Sequence, residues 1–133
     1  MSQENVQLTK EGFEAFRSDN TNNDTSRWHP EIELDCPTSL PDIGGVYKGR
    51  DAVLKWWDDW LAAWELVQFD FELVDAGEQV VALVDQRMRG RSSGIEIPLG
   101  KYAHVLTYRK GLLVRWKFYL RQSEALKAVG LEE

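Results

Sequence analysis

The sequence predicts an α+β fold: helices first, then a meander of antiparallel strands that wraps its apolar face around them. Three observations carry this. Between residues 50 and 66 apolar side chains recur at helical spacing, a period of two takes over from residue 68, and short turn signals at 75–78, 90–94 and 110–111 cut that second region into strands. Helices followed by a run of consecutive strands is the pattern of a segregated α+β domain. A sheet with one polar and one apolar face buries the apolar one against the helices.

Each element has its own grounds. Residues 3–17 form a modest helix, with Val6, Phe13 and Phe16 at helical spacing and Gly12 weakening it. Residues 18–27 are almost wholly polar and read as a loop or a short, poor helix. Residues 31–35 (EIELD) make a brief strand, and the Pro/Gly-containing stretch 36–45 a loop. The strongest signal is 50–66, where Val53, Trp56, Trp57, Trp60, Leu61 and Trp64 form one broad apolar face, with Asp51, Lys55, Asp58, Asp59 and Glu65 on the other. Gly49 starts this helix and Asp51 suits its first-turn dipole. Phe69, Phe71 and Leu73 then alternate with Gln68, Asp70 and Glu72, and further strands are expected at 79–89, 95–109 and 112–121. On the last of these, Val114, Trp116, Phe118 and Leu120 share one face, opposite Arg115, Lys117 and Arg121. A short helix over 123–129 ends at Gly130.

The bulk numbers set the limits. A chain of 133 residues makes one domain, 1–133, large enough for a real core. Sixteen Lys+Arg against 22 Asp+Glu give a net charge of −6, which argues against a nucleic-acid partner. The single Cys36 has no disulfide partner in the chain, so a reducing, cytoplasmic setting is expected. No stretch approaches the length of a membrane span, and phosphate loops, zinc-protease and nucleophile-elbow motifs are absent, so no cofactor or metal is expected. The feature left to explain is six Trp among the aromatics.

The residues HPEIEL at 29–34, GGVYKGRDAVLKWW at 44–57, DAGEQVVALV at 75–84, KYAHVLTYRKG at 101–111 and RWKFYLRQSEAL at 115–126 give the chain its family character. Their order resembles the SnoaL-like, ketosteroid-isomerase-like superfamily, which shares the nuclear-transport-factor-like fold. The resemblance implies a cone-shaped domain, its mixed, mostly antiparallel sheet curved around an internal pocket, and a homodimer. It does not imply one activity, because relatives include isomerases, cyclases, dehydratases, epoxide hydrolases and non-catalytic domains.

Set against ketosteroid isomerase, the base falls near Asp35, with Glu33 as the alternative if the register slips. The hydrogen-bonding Tyr falls on Phe16, and the protonated acid on His104. Set against the SnoaL polyketide cyclase, His104 matches the pocket His, while the last-strand Asp is Phe118. Limonene-epoxide hydrolase pairs Arg-x-Asp on one strand; here the order is reversed in Asp85-Gln86-Arg87, and its last-strand Asp is again Phe118.

Catalytic candidates are therefore His104 and Asp35 as acid and base, in either assignment. The competing readings are a core histidine and a turn-forming Asp. The candidate lining is Phe16, Trp56, Trp60, Arg87, Tyr102, Trp116, Phe118 and Leu120, with Arg87 as an anion clamp if it and Asp85 face inward. Aromatic walls suit a flat, largely apolar molecule with a few polar groups. Two functions follow: a cofactor-free isomerase, cyclase or dehydratase acting on a ketone-bearing, polycyclic substrate, or a ligand-binding or protein-interaction domain without chemistry.

Overall fold

The computed structural model describes residues 2–18, 25–37 and 44–131. Two expected loop segments, within 18–27 and 36–45, lie largely outside these residues. In chain order the elements are α1 (Ser2–Ser18), β1 (Trp28–Cys36), β2 (Gly45–Lys48), α2 (Arg50–Ala63), β3 (Trp64–Ala76), β4 (Gln79–Gly90), β5 (Glu96–Arg109), β6 (Leu112–Tyr119) and α3 (Gln122–Ala128). The six strands form one open sheet in the order β2-β1-β6-β5-β4-β3. All neighbours are antiparallel except β1 and β6, which run parallel.

Most expected elements are present, and the departures have physical reasons. The aromatic helix stops at Ala63, three residues short of expectation, and Trp64 already has extended backbone (φ −129°, ψ 142°). The alternation Glu65, Leu66 and onward belongs to a strand, and Arg91 takes the helix's last carbonyls: its backbone N–H donates to Ala63 O at 3.0 Å and its Nε to Leu61 O at 2.6 Å. Strand β1 begins at Trp28, upstream of the expected start, and a further short strand, Gly45–Lys48, begins at the end of the expected loop and pairs with Glu33–Cys36.

On β6 a bulge leaves Val114 without a partner between Leu113 opposite Tyr108 and Arg115 opposite Thr107. An extra residue reverses which side chains face inward beyond it. Leu113 is therefore buried in the interior, and Val114 does not share the inward face expected for it.

Helix α1 packs chiefly against β3 and β4, and α2 against β1 and β2. The middle strands β5 and β6 are left with an interior face that neither helix fills. On the opposite face α3 covers Val81, Ala103 and Val105 with Ala125 and Leu126. It ends in a Schellman motif, in which Leu131 N–H donates to Leu126 O at 2.9 Å and Gly130 N–H to Lys127 O at 3.0 Å, with Gly130 at φ 79°.

Candidate functional site

The space between the helices and the middle strands is a cavity of about 580 Å³, within the size range of small-molecule sites. Its floor is the inward row of β5 (Tyr102, His104, Leu106, Tyr108) and of β6 (Leu113, Trp116, Phe118). Phe13 and Phe16 of α1 close one side, and Trp56, Trp57 and Trp60 of α2 another. Exposed Glu11, Arg27 and Leu120 lie at its edge, Leu120 at 47% exposure.

Five of the six Trp line this space, and Trp64 lies beside it. Trp56 and Trp60, one helical turn apart, stack with parallel rings 6.0 Å apart, and Trp64 continues the row 6.0 Å from Trp60. Trp57 meets Trp56 edge-on at 4.8 Å and reaches across to Trp116 at 5.2 Å. Trp28, at the head of β1, meets Trp116 edge-on at 6.1 Å. Aromatic pairs at these separations contribute beyond the apolar area they bury.

Polar groups in the wall are few, and most are committed. The Thr9 hydroxyl donates to Asn5 O at 2.8 Å and also shares a 2.8 Å hydrogen bond with the Tyr108 hydroxyl. Tyr102 donates its hydroxyl to Gln86 Oε1, and Gln86 Nε2 donates to Met88 Sδ at 3.0 Å. His104, 2% exposed, accepts at Nδ1 from the indole N–H of Trp116 at 2.9 Å. Two wall donors, His104 Nε2 and Trp57 Nε1, are buried and have no hydrogen-bond partner among the described residues. Leaving such a donor unsatisfied costs about 1–3 kcal/mol.

Burial displaces the titration of four lining groups. Burial lowers the His104 imidazole to a pKa of about 3. The Cys36 thiol is pushed up to about 11, by burial first and by the Asp35 carboxylate second. Burial also raises the Tyr102 and Tyr108 phenols, with Cys36 adding to the effect at Tyr102 and the Thr9 hydrogen bond opposing it at Tyr108. Among the described lining residues the only carboxylate is Glu11, exposed at the edge.

The candidates separate into two groups. Phe16, Trp56, Trp60, Tyr102, His104, Trp116, Phe118 and Leu120 all line the cavity. Asp35 does not, which corrects its assignment as a base. Ile32, Leu34 and Cys36 point inward along β1, so strand alternation turns Glu33 and Asp35 to the other face. There Asp35 lies 3.6 Å from Arg115 and 3.9 Å from Lys117, and Glu33 lies 3.7 Å from Lys48. Arg87 is corrected for the same reason. It shares the outward face with Asp85 and pairs with Glu96 at 3.4 Å, while Gln86 between them enters the interior at 4% exposure.

Sequence reasoning passed over Gln86, Cys36, Phe13 and Tyr108 as lining residues. The signal for Cys36 lay in the alternation of EIELDC, and for Gln86 in the inward parity of Val80, Ala82 and Val84. Among the described residues no group of three or more His, Cys, Asp or Glu side chains is placed to hold a metal, and no helix is long and apolar enough to cross a membrane.

Comparison with known proteins places this architecture. Among curated proteins none matches the chain. A solved NTF2-like protein of unknown function from Burkholderia pseudomallei K96243 is 23% identical, with a TM-score of 0.73, over 96% of this chain and 98% of that one. An NTF2-like protein from Burkholderia xenovorans LB400 is 24% identical, with a TM-score of 0.73, over 90% of each chain. TerC, solved as a co-crystal with polyporic acid, is 18% identical, with a TM-score of 0.72, over 95% of this chain and 98% of that one. Identities this low establish a shared fold. The profile of the SnoaL-like domain matches residues 10–116, most of the chain, and the protein therefore belongs to the SnoaL-like domain family.

Proposed function

We propose that this protein binds a flat, largely apolar small molecule inside the cavity and does so without an acid–base step by its own side chains. The observation that carries the reading is the composition of the wall. Aromatic rings enclose a space of about 580 Å³ in which no lining imidazole, thiol or phenol is shifted towards neutrality; all are shifted away from it. General acid–base catalysis works best with a group whose pKa lies near the working pH. An isomerase or cyclase built on His104 and Asp35 would need both on one side of the sheet, and Asp35 lies on the other. TerC, which shares the fold and was crystallised with polyporic acid, supports a small-molecule-binding reading.

The test is direct binding. The neutral tricyclic ketone 9-fluorenone is titrated into the full chain and followed by tryptophan fluorescence and calorimetry. Saturable binding is expected, weakened about tenfold or more by Trp60→Ala, which removes one of the stacked rings. No saturable binding of fluorenone, or of larger flat ketones, overturns the reading. Turnover of an enolisable ketone that disappears in His104→Gln would restore the catalytic one.

A further inference from the structure

We infer that Trp116 locks His104 in a single neutral tautomer, turning the imidazole into a fixed hydrogen-bond donor that selects ligands carrying a carbonyl or other neutral oxygen acceptor. The inference rests on the pocket reading above and adds what its polar point recognises.

The argument starts from indole chemistry. An indole N–H can only donate. The 2.9 Å contact from Trp116 Nε1 therefore requires a lone pair on His104 Nδ1. A neutral imidazole with Nδ1 unprotonated carries its proton on Nε2. That Nε2–H is the atom left buried without a partner. Protonating Nδ1 would set two N–H groups against each other, so the same contact opposes the imidazolium.

The surroundings reinforce this. The rings packed on His104 are Phe13 from α1 at 5.5 Å, Tyr102 from its own strand at 5.1 Å, and Trp116 and Phe118 from β6 at 5.9 and 4.4 Å. Tyr102 is the only titratable one, and burial favours its neutral form. No carboxylate among these neighbours could draw a proton onto the ring, and burial alone carries the imidazole to a pKa of about 3.

The ring is held from the sheet itself. His104 and Phe118 are register partners across β5 and β6, and Trp116 sits two residues along β6 on the same face. Strand pairing thus sets the indole-to-imidazole contact before any ligand arrives. A ligand oxygen meeting Nε2–H makes a hydrogen bond that no side chain among the described residues supplies. A ligand offering only donors or a cationic group gains nothing there.

Two measurements test this on the full chain. The first needs no ligand. Long-range proton–nitrogen correlation spectra of ¹⁵N-labelled protein near neutral pH should show His104 with a protonated, pyrrole-type Nε2 and a bare, pyridine-type Nδ1. In Trp116→Phe both nitrogens should move towards averaged shifts as the second tautomer opens. A proton on Nδ1, or protons on both nitrogens, overturns the lock, and an unchanged spectrum in Trp116→Phe overturns the role of Trp116.

The second compares 9-fluorenone with fluorene, which has the same skeleton without the carbonyl. Wild type should prefer the ketone by about tenfold or more, and His104→Phe should abolish the preference while still binding fluorene. Equal affinity in wild type overturns the donor role and leaves the pocket reading standing. Binding of neither probe overturns the pocket reading, and the tautomer spectrum then decides the lock by itself.

Discussion

Asp35 shows how much one residue's orientation decides. Its carboxylate, 23% exposed, lies between Arg115 and Lys117 on the face away from the cavity. Ion pairs in such surroundings contribute little, so Asp35→Asn should cost less than about 1 kcal/mol in chemical denaturation. It should leave fluorenone affinity unchanged. A loss of binding in that variant, with stability intact, would return Asp35 to the site. His104, two strands away across the sheet, is the contrasting case. Its strand position was evident from the sequence, and the acceptor role of its Nδ1 is set by a residue twelve positions along the chain.

At the level of the element, the β5–β6 hairpin carries the floor of the cavity and depends on a tight turn. Lys110 and Gly111 both have positive φ, 52° and 76°. Two-residue hairpins with both central residues at positive φ match the twist of their strands, and glycine or asparagine fits them best. A Cβ added at Gly111 would meet nothing, so backbone strain alone sets the cost. Gly111→Ala should therefore destabilise by about 1 kcal/mol, and Lys110→Asn should stabilise by a few tenths up to about 1 kcal/mol. Urea unfolding of both variants checks the pair, and a stable Gly111→Ala would argue against this turn geometry. The turn itself was legible in Lys110-Gly111 between two alternating strands. The Val114 bulge was not, because a bulge is a property of two paired strands and leaves a single strand's pattern only locally irregular.

For the whole molecule, the enclosed imidazole has a consequence for acid stability. His104 ordinarily titrates at 6.5 and in the folded chain at about 3. The unfolded chain therefore binds the extra proton first, and stability is complete above 6.5 and is lost as pH falls from there towards 3. The slope approaches about 1.4 kcal/mol per pH unit. His104→Gln keeps an acceptor for Trp116 and removes the titration. Its unfolding free energy should fall less steeply than wild type between about pH 6 and 5, before most carboxylates protonate. Equal slopes would mean that the imidazole is not buried as a neutral group.

The sequence by itself determined the α+β class, most element positions, the aromatic character of the helix at 50–63 and the inward row of β5. These follow from local periodicity, which each segment carries within itself. The tertiary structure decided which candidates share a space. Strand pairing turned Asp35 and Arg87 outward and brought Gln86 and Cys36 in, and helices seated over the outer strands left β5 and β6 to line an open interior. It also decided the chemistry of His104. A hydrogen-bond partner on the neighbouring strand and the exclusion of water are facts of packing, and no spacing along one strand encodes them.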